Sequence, residues 1–322
     1  MISKEHTKFK VYDTTVVLNF NSSRLNNMKK ITNFNVSDAW YGRFLSLPGI
    51  TFVFLLIVLP VIFLIVLSFL RYNFVTPIAF VGFKNFSNIF SDRLLTHALK
   101  TTGIYTFGVT GISLIFSLAI SYGLHRLGHR RFSTLYRTLA ILPFAVPLVL
   151  SGLIWRWLLD PAIGVMNYLF IQMTPFSEPI NIFGNSTMAL MGVILADAWI
   201  KIPFMTIFIL AAMDGINQDL YEAAAIDGST VVAKFFYITL PLARNGIIYG
   251  ILITAMFSFR TIDAIWSMTR GGPGKATYHI GIYILDRMLS LMNLGQAAVI
   301  GIIVFVCISC FSAAMIAWMK RD

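Results

Sequence analysis

Phe52-Val-Phe-Leu-Leu-Ile-Val-Leu-Pro-Val-Ile-Phe-Leu-Ile-Val-Leu67 carries no charge and no hydrogen-bonding side chain, and the wider stretch 44–70 has no ionisable group at all. A hydrocarbon core about 30 Å thick needs about 20 apolar residues of helix, so this stretch is long enough to cross a bilayer. Working outward, 101–124 is equally free of charge, and 288–319 lacks Asp, Glu, Lys and Arg throughout. Three more apolar runs, 138–159, 187–213 and 244–265, are interrupted by Arg156, by Asp197 with Lys201, and by Arg260 with Asp263. An ionisable group inside a span is costly and is retained where it faces a bundle interior, a cavity or a partner. The interrupted runs are therefore predicted to be polar spans that carry function. Of 322 residues 57% are apolar and 12% charged, against about 25% charged in a soluble domain. A water-soluble globule is excluded. The fold class is an all-α integral membrane protein with six transmembrane helices.

The net charge of +11 is explained by where the cations fall. With a cytoplasmic amino terminus, the inside segments hold 14 Lys and Arg and the outside segments 7, the bias expected of cytoplasmic loops. Both termini are predicted to be cytoplasmic, the basic excess faces membrane lipid, and no nucleic-acid partner is needed. The loop His125–Arg137 has Arg126, Arg130, Arg131 and Arg137 and no acid. His125 and His129 lie four apart there, but with no third ligand they read as parts of a solvated basic loop, and no metal site is expected. Residues 1–43 read as a polar cytoplasmic tail whose longest apolar stretch, Val16–Leu18, is too short for a signal-peptide core. The spans form one domain, 44–322. Cys307 and Cys310 read as core-packing residues, since no neighbouring charge lowers a thiol pKa and no further ligand completes a metal shell.

Between the fourth and fifth spans lies the loop 214–244, Asp214-Gly-Ile-Asn-Gln-Asp-Leu-Tyr-Glu-Ala-Ala-Ala-Ile-Asp-Gly-Ser-Thr230, running on to Ile238-Thr-Leu-Pro241. Asp219 with Glu222 three residues on predicts an N-cap and its reciprocal partner, Ala223–Ala225 propagate helix, and Asp227-Gly228 stops it. Ser229 or Thr230 caps a second helix with Val231, Val232, Phe235 and Phe236 on one side, ending as Pro241 starts the next span. The result is a knob of two short helices. This loop resembles that of the permease subunits of ATP-binding-cassette (ABC) importers, which reads Glu-Ala-Ala, three residues, Gly, nine residues, Ile-x-Leu-Pro. Glu222, Ala223, Ala224, Gly228, Ile238, Leu240 and Pro241 fill every position. An Ala-rich surface helix explains none of these fixed distances. The resemblance implies a type I importer permease fold and a loop that inserts into a cleft of an ATPase subunit. There small residues allow close approach, Gly228 allows the bend, and Glu222 pairs with a basic group.

Further motifs resemble the carbohydrate (maltose-type) importers: Val81-Gly-Phe-Lys-Asn-Phe, Leu142-Pro-Phe-Ala-Val-Pro147 with Trp155-Arg-Trp157, Gly164 and Asn167, and Met268-Thr-Arg-Gly-Gly-Pro273 with Ala276-Thr277. The chain departs from that pattern in lacking a large external insertion and extra amino-terminal spans, and in having Ile262 where a Phe commonly precedes the Asp. The resemblance implies a multi-pass protein of the cell inner membrane that moves a sugar or oligosaccharide inward. Its implied partners are a second homologous permease, ABC ATPase subunits and an extracytoplasmic solute-binding protein. The Gly-Gly-Pro-Gly-Lys stretch is not a phosphate loop, because Thr269 stands in the first Gly position and Ala276 in the hydroxyl position. No cofactor is therefore expected in this chain, with ATP and Mg bound by the partner ATPase. The chain is not expected to be an enzyme, since it has no HExxH, no GxSxG and no convergent acids. An ion-coupled transporter or channel is the competing class, and it would need no docking loop.

The resemblance also places sugar contacts on the fourth and fifth spans: Asp197, Ile200, Lys201 and Phe204, then Thr254, Phe257, Ser258 and Thr261. Each set recurs at three to four residues and so shares a helix face. Aromatic rings stack on the C–H faces of a pyranose while hydroxyls and charges bond its OH groups. The alternative is that Asp197 and Lys201, one turn apart, neutralise each other within the bundle. Arg156, Lys201 and Arg260 outnumber Asp197 and Asp263 by one, which leaves open an anionic, uronate-type sugar or cations that serve packing.

Overall fold

Hydrocarbon offers no hydrogen bonds, so each apolar run must satisfy its backbone internally, which a helix does. The computed structural model describes residues 36–128, 133–173 and 178–319. Most of the predicted tail, the basic-loop residues His129, Arg130 and Arg131, and the last three residues lie outside that range. Four helices are long and apolar enough to cross a membrane, and six when each of two bent helix pairs counts as one span. Packing divides the chain after Ile62 into two units. In the first, the helix Val36–Val53 runs into a π-helical turn, Phe54–Val58. It begins within the stretch assigned to the tail.

In the second unit, the second span is Arg93–Leu127. Asp92 caps it by accepting the Leu94 N–H at 2.9 Å. One face of this helix is a buried stripe of Thr102, Thr106, Thr110, Ser113, Ser117 and Ser121. Ser117 Oγ donates to the Ile202 carbonyl at 2.8 Å and Ser121 Oγ to that of Thr206 at 3.2 Å, so the stripe packs on the fourth span, Ser186–Asp214. Small side chains let helix backbones approach where lipid removes any hydrophobic drive. The fourth span is the central post: 67% of its apolar window is buried, against 33% for the second span and 11% for the sixth.

Two predicted spans are not continuous. The run expected over 138–159 bends by 93° between Ser133–Ala145 and Leu148–Leu158, at Pro143 and Pro147, which cannot donate to a preceding turn. The run expected over 244–265 ends at Arg260, and a separate helix, Asp263–Met268, follows. Its own approach, Val231–Leu242, meets Arg244–Arg260 at 67°. Just beyond that bend Gly246 is required by close contact: a Cβ there would lie 2.4 Å from Ala212 Cβ and 2.6 Å from the Phe208 carbonyl. The sixth span starts at Leu294, later than the expected 288, because Asp286–Ser290 forms a π-helical turn. The one strand pairing among the described residues is a two-residue antiparallel pair, Leu70–Arg71 with Ala79–Phe80. Cys310 is exposed and Cys307 half-buried on the sixth span, so the expected core position does not hold for Cys310.

The end of the bundle away from the 214–244 loop is fastened by polar ties. Buried Asn85 donates to the Ser68 and Leu70 carbonyls, both at 2.9 Å. Asp92 is bonded by Tyr283 and Arg287, and Arg287 donates in turn to Gln296 at 3.0 Å. Burial alone would raise the Asp92 carboxyl pKa, but the hydrogen bonds from Tyr283 and the Leu94 N–H and the Arg287 charge outweigh it and hold it below the usual carboxylate range. A depressed folded pKa contributes stability that is present above the unfolded value, about 3.9, and lost as pH falls through the folded one. Asp92→Asn is expected to cost about 1–2 kcal/mol at pH 7. Thermal unfolding in detergent should show the variant less stable than wild type at pH 7, with the gap closing toward pH 3; a gap constant with pH would refute the tie.

Candidate functional site

The 214–244 loop is built as two short helices. Gln218–Ile226 is capped by Asn217, whose Oδ1 accepts the Asp219 N–H at 3.1 Å. The predicted cap at Asp219 is thus displaced by two residues, and Glu222 is exposed and closes no reciprocal box. The stop falls where expected. Gly228 has φ +76°, its N–H bonds the Ala225 carbonyl at 3.1 Å, and the Ser229 N–H bonds that of Ala224 at 2.9 Å. This paired closure needs a left-handed residue, which costs any side chain other than glycine's about 1–2 kcal/mol. Apart from its chain neighbours, no described residue comes within 4 Å of a Cβ built there, so the surface beyond Gly228 is open among the described residues.

Thr230 caps the second helix, Val231–Lys234, by accepting the Ala233 N–H at 3.2 Å. That helix continues through a π-helical turn, Phe235–Thr239, and the short Leu240–Leu242, so Pro241 lies before the span rather than at its start. Tyr221 joins the two helices: its hydroxyl meets Thr239 Oγ1 at 2.9 Å and its carbonyl accepts Lys234 Nζ at 3.1 Å. Asp214 anchors the base, accepting from Arg137 at 2.8 Å and meeting His125 Nδ1 at 3.0 Å. Two members of the basic loop are therefore engaged rather than solvated. What the knob presents outward is apolar: Ile226 is 87% exposed, Tyr237 83% and Val232 65%. Ala223 and Pro241 are also exposed, while Ala224, Ile238 and Leu240 are half-buried.

The second candidate lies in the bundle interior. Asp197, Ile200, Lys201, Thr254, Ser258 and Thr261 are all buried. Lys201 pairs with Asp197 and reaches Thr261 Oγ1 at 3.4 Å, where the fifth span ends. Phe204 and Phe257 are the more open members, with ring centroids 5.7 Å apart, and Arg260 lies 5.0 Å over the Phe257 ring. Phe144 stacks on Phe204 at 5.2 Å. The bent third span brings it there, and sequence reading gave it no role. Also missed were buried Tyr105, which interacts with Asp197, and His279, edge-on to Tyr105 at 5.3 Å. Burial, with the Lys201 charge added, pushes the His279 imidazole down to about 3 despite the Ser258 backbone, so it is neutral. Its Nδ1 accepts the Gly281 N–H at 3.1 Å. The hydroxyls of Thr254, Ser258, Thr110 and Ser113 have no hydrogen-bond partner among the described residues. Buried orphan hydroxyls of this kind mark a place for water or a polar ligand.

Comparison with known proteins fits this arrangement. Residues 111–321 match the model of the family described as binding-protein-dependent transport system inner membrane component. The trehalose/maltose transport system permease protein MalF of Thermococcus litoralis is 30% identical over 276 residues, 85% of this chain and 92% of that protein. The sulfoquinovosyl glycerol transport system permease protein SmoG of Agrobacterium fabrum is 29% identical over 283 residues, 87% and 90% of the two chains. A chain in the crystal structure of a bacterial alginate ABC transporter, in complex with an alginate pentasaccharide-bound periplasmic protein, has the same fold, with a TM-score of 0.73 at 20% identity over 89% of this chain and 96% of that one. The Glu-Ala-Ala loop, the helical spans and these matches together place the chain in the family of binding-protein-dependent transport system inner membrane components, as a permease subunit and not an enzyme.

Proposed function

We propose that this chain forms one half of the translocation path of an ATP-driven importer that carries a sugar or oligosaccharide into the cytoplasm. The 214–244 knob docks into a separate ABC ATPase, which binds ATP and Mg, and both termini lie on the cytoplasmic side. A second homologous permease completes the path, and an extracytoplasmic solute-binding protein delivers the sugar. The observation that carries this reading is the knob itself: a rigid pair of short helices with the Glu222-Ala-Ala and Gly228 spacing, tied down at Asp214 and presenting large apolar side chains to water. Exposed apolar patches of this kind mark a partner surface. The trehalose/maltose and sulfoquinovosyl glycerol relatives support a sugar as cargo.

Within the path, the rings of Phe204, Phe257 and Phe144 supply stacking faces, and Asp197, Ile200, Lys201, Thr254, Ser258 and Thr261 form the wall behind them. Of the three interior cations, Lys201 is spent on Asp197 and Arg156 donates to the Ser267 carbonyl at 3.4 Å. Arg260 is the one beside the aromatic face, where it would suit an anionic, uronate-type sugar.

Gly228→Trp tests the docking. The substituted residue is strained at φ +76° and fills the open surface, so co-purification of the ATPase or its stimulation should fall while the solute-binding protein keeps its affinity for sugar. Wild-type uptake would sink the reading. Orientation is tested by single cysteines at Ser133 and Asn181, which should label from opposite sides with an impermeant reagent; equal labelling in intact cells would refute it.

Lys201→Gln leaves Asp197 buried without its cation, a loss of about 3–5 kcal/mol. Folded, assembled protein should drop for every substrate, and the double variant Asp197→Asn/Lys201→Gln should recover it. If instead Lys201→Gln folds like wild type and loses acidic-sugar transport selectively, Lys201 contacts cargo.

A further inference from the structure

A cavity of about 530 Å³ opens at the end of the bundle opposite the 214–244 knob, lined by the helix Asp263–Met268, the turn that follows it and the π-helical turn Asp286–Ser290. Its size falls within the range of small-molecule sites, about 300–1,000 Å³. The indole of Trp266 forms one wall and is 44% exposed. Arg270 and Lys275, both exposed, stand at the rim, the Arg270 guanidinium 5.8 Å from the Trp266 ring and Lys275 Nζ 5.1 Å from the Tyr278 ring. Neither has a carboxylate partner among the described residues. The acid in the lining, Asp286, already accepts the Tyr278 hydroxyl at 2.8 Å. Around an apolar ring, the cavity therefore offers two cations and an acid engaged by its neighbour.

The turn is held in one shape. Thr269 and Thr277 hydroxyls meet at 2.7 Å, Thr277 also donates to the Gly272 carbonyl at 2.8 Å, and His97 Nε2 bonds the Lys275 carbonyl at 2.8 Å. Arg270 and Lys275 are both non-glycine residues in the left-handed region, at φ +51° and +68°. That conformation costs about 1–2 kcal/mol at each, and such strain is concentrated where side chains are aimed at a ligand. The segment that looks like a defective phosphate loop in the sequence is thus a fixed bracket for two cations.

We propose that this cavity binds a carboxylate-bearing sugar ring, stacked on Trp266 with its carboxylate between Arg270 and Lys275. The proposal rests on the sugar-import reading and on the orientation that puts 266–287 outside, and it deepens both by assigning an entry site that selects acidic saccharides before they reach the interior. A pyranose presents an apolar C–H face to the indole, and a carboxylate takes charge-assisted bonds from guanidinium and ammonium.

The test uses the assembled importer in discs of zwitterionic lipid, titrated calorimetrically with a uronate tetrasaccharide and with a neutral tetrasaccharide. Wild type should prefer the uronate at least tenfold. Arg270→Gln/Lys275→Gln should abolish that preference, and Arg270→Lys, which keeps the charge, should retain most of it; co-elution of all subunits checks assembly for each variant. The proposal is overturned if wild type binds the two sugars alike, if the double variant keeps the preference, or if acetate competes as well as the uronate, which would leave a mere charge patch. Uptake into proteoliposomes separates the two levels: if neutral sugar enters on ATP while uronate preference is absent, this site falls and the import reading stands. If neither sugar enters, the import reading falls with it.

Discussion

The buried Asp197–Lys201 pair is the constraint around which the bundle is arranged. Both side chains are almost wholly removed from solvent, and either ion alone would carry a desolvation penalty of several kcal/mol. Placing them one turn apart on the same helix makes the neutralisation local, so the fourth span can occupy the centre without borrowing a charge from elsewhere. The surrounding elements then organise on this pair. The Lys201 ammonium meets Thr261 at the break of the fifth span, Tyr105 approaches Asp197 from the second, and His279, held neutral, packs on Tyr105.

Span lengths were legible in the sequence because the bilayer imposes one scale on every helix, and runs such as 44–70 and 101–124 meet it without a competing reading. Bends were not, because they depend on where a missing N–H meets a neighbouring helix. The two prolines of Leu142-Pro-Phe-Ala-Val-Pro147 mark a local break, but they do not set the angle of 93° through which the chain turns there. The fifth span shows the same limit. Thr261 adopts an extended conformation, φ −64° and ψ 136°, which ends the helix just after Arg260. No glycine or proline stands at that break, and the Thr261 hydroxyl lies 3.4 Å from Lys201 Nζ on a distant segment.

The knob was legible in spacing and less so in detail. Asp219 and Asn217 are both good caps, and only the path of the chain from the fourth span decides for Asn217. Gly228 was legible both by its motif position and as the stop of the first helix, which it closes in the left-handed conformation. The interior was half legible. Residues at helical spacing on one span were brought together as expected, but Phe144, Tyr105 and His279 join them only through the fold, since each comes from a segment distant in sequence.

The chain also inverts the arrangement of a soluble bundle. On the second span Thr106, Thr110, Ser113 and Ser117 are buried, while Phe107, Ile115 and Phe116 on the same helix are 77%, 67% and 54% exposed. In water this distribution would be unstable. In a bilayer lipid is as apolar as leucine, so outward phenylalanines lose nothing, and contact between helices is won by small side chains and hydroxyl bonds such as Ser117 to Ile202. The same economy leaves hydroxyls inside the bundle that packing alone does not use, on Thr254 and Ser258 beside the ion pair. A polar interior is thus a by-product of how helices associate in lipid, and it becomes a route for a hydroxylated cargo once aromatic faces such as Phe204 and Phe257 stand beside it.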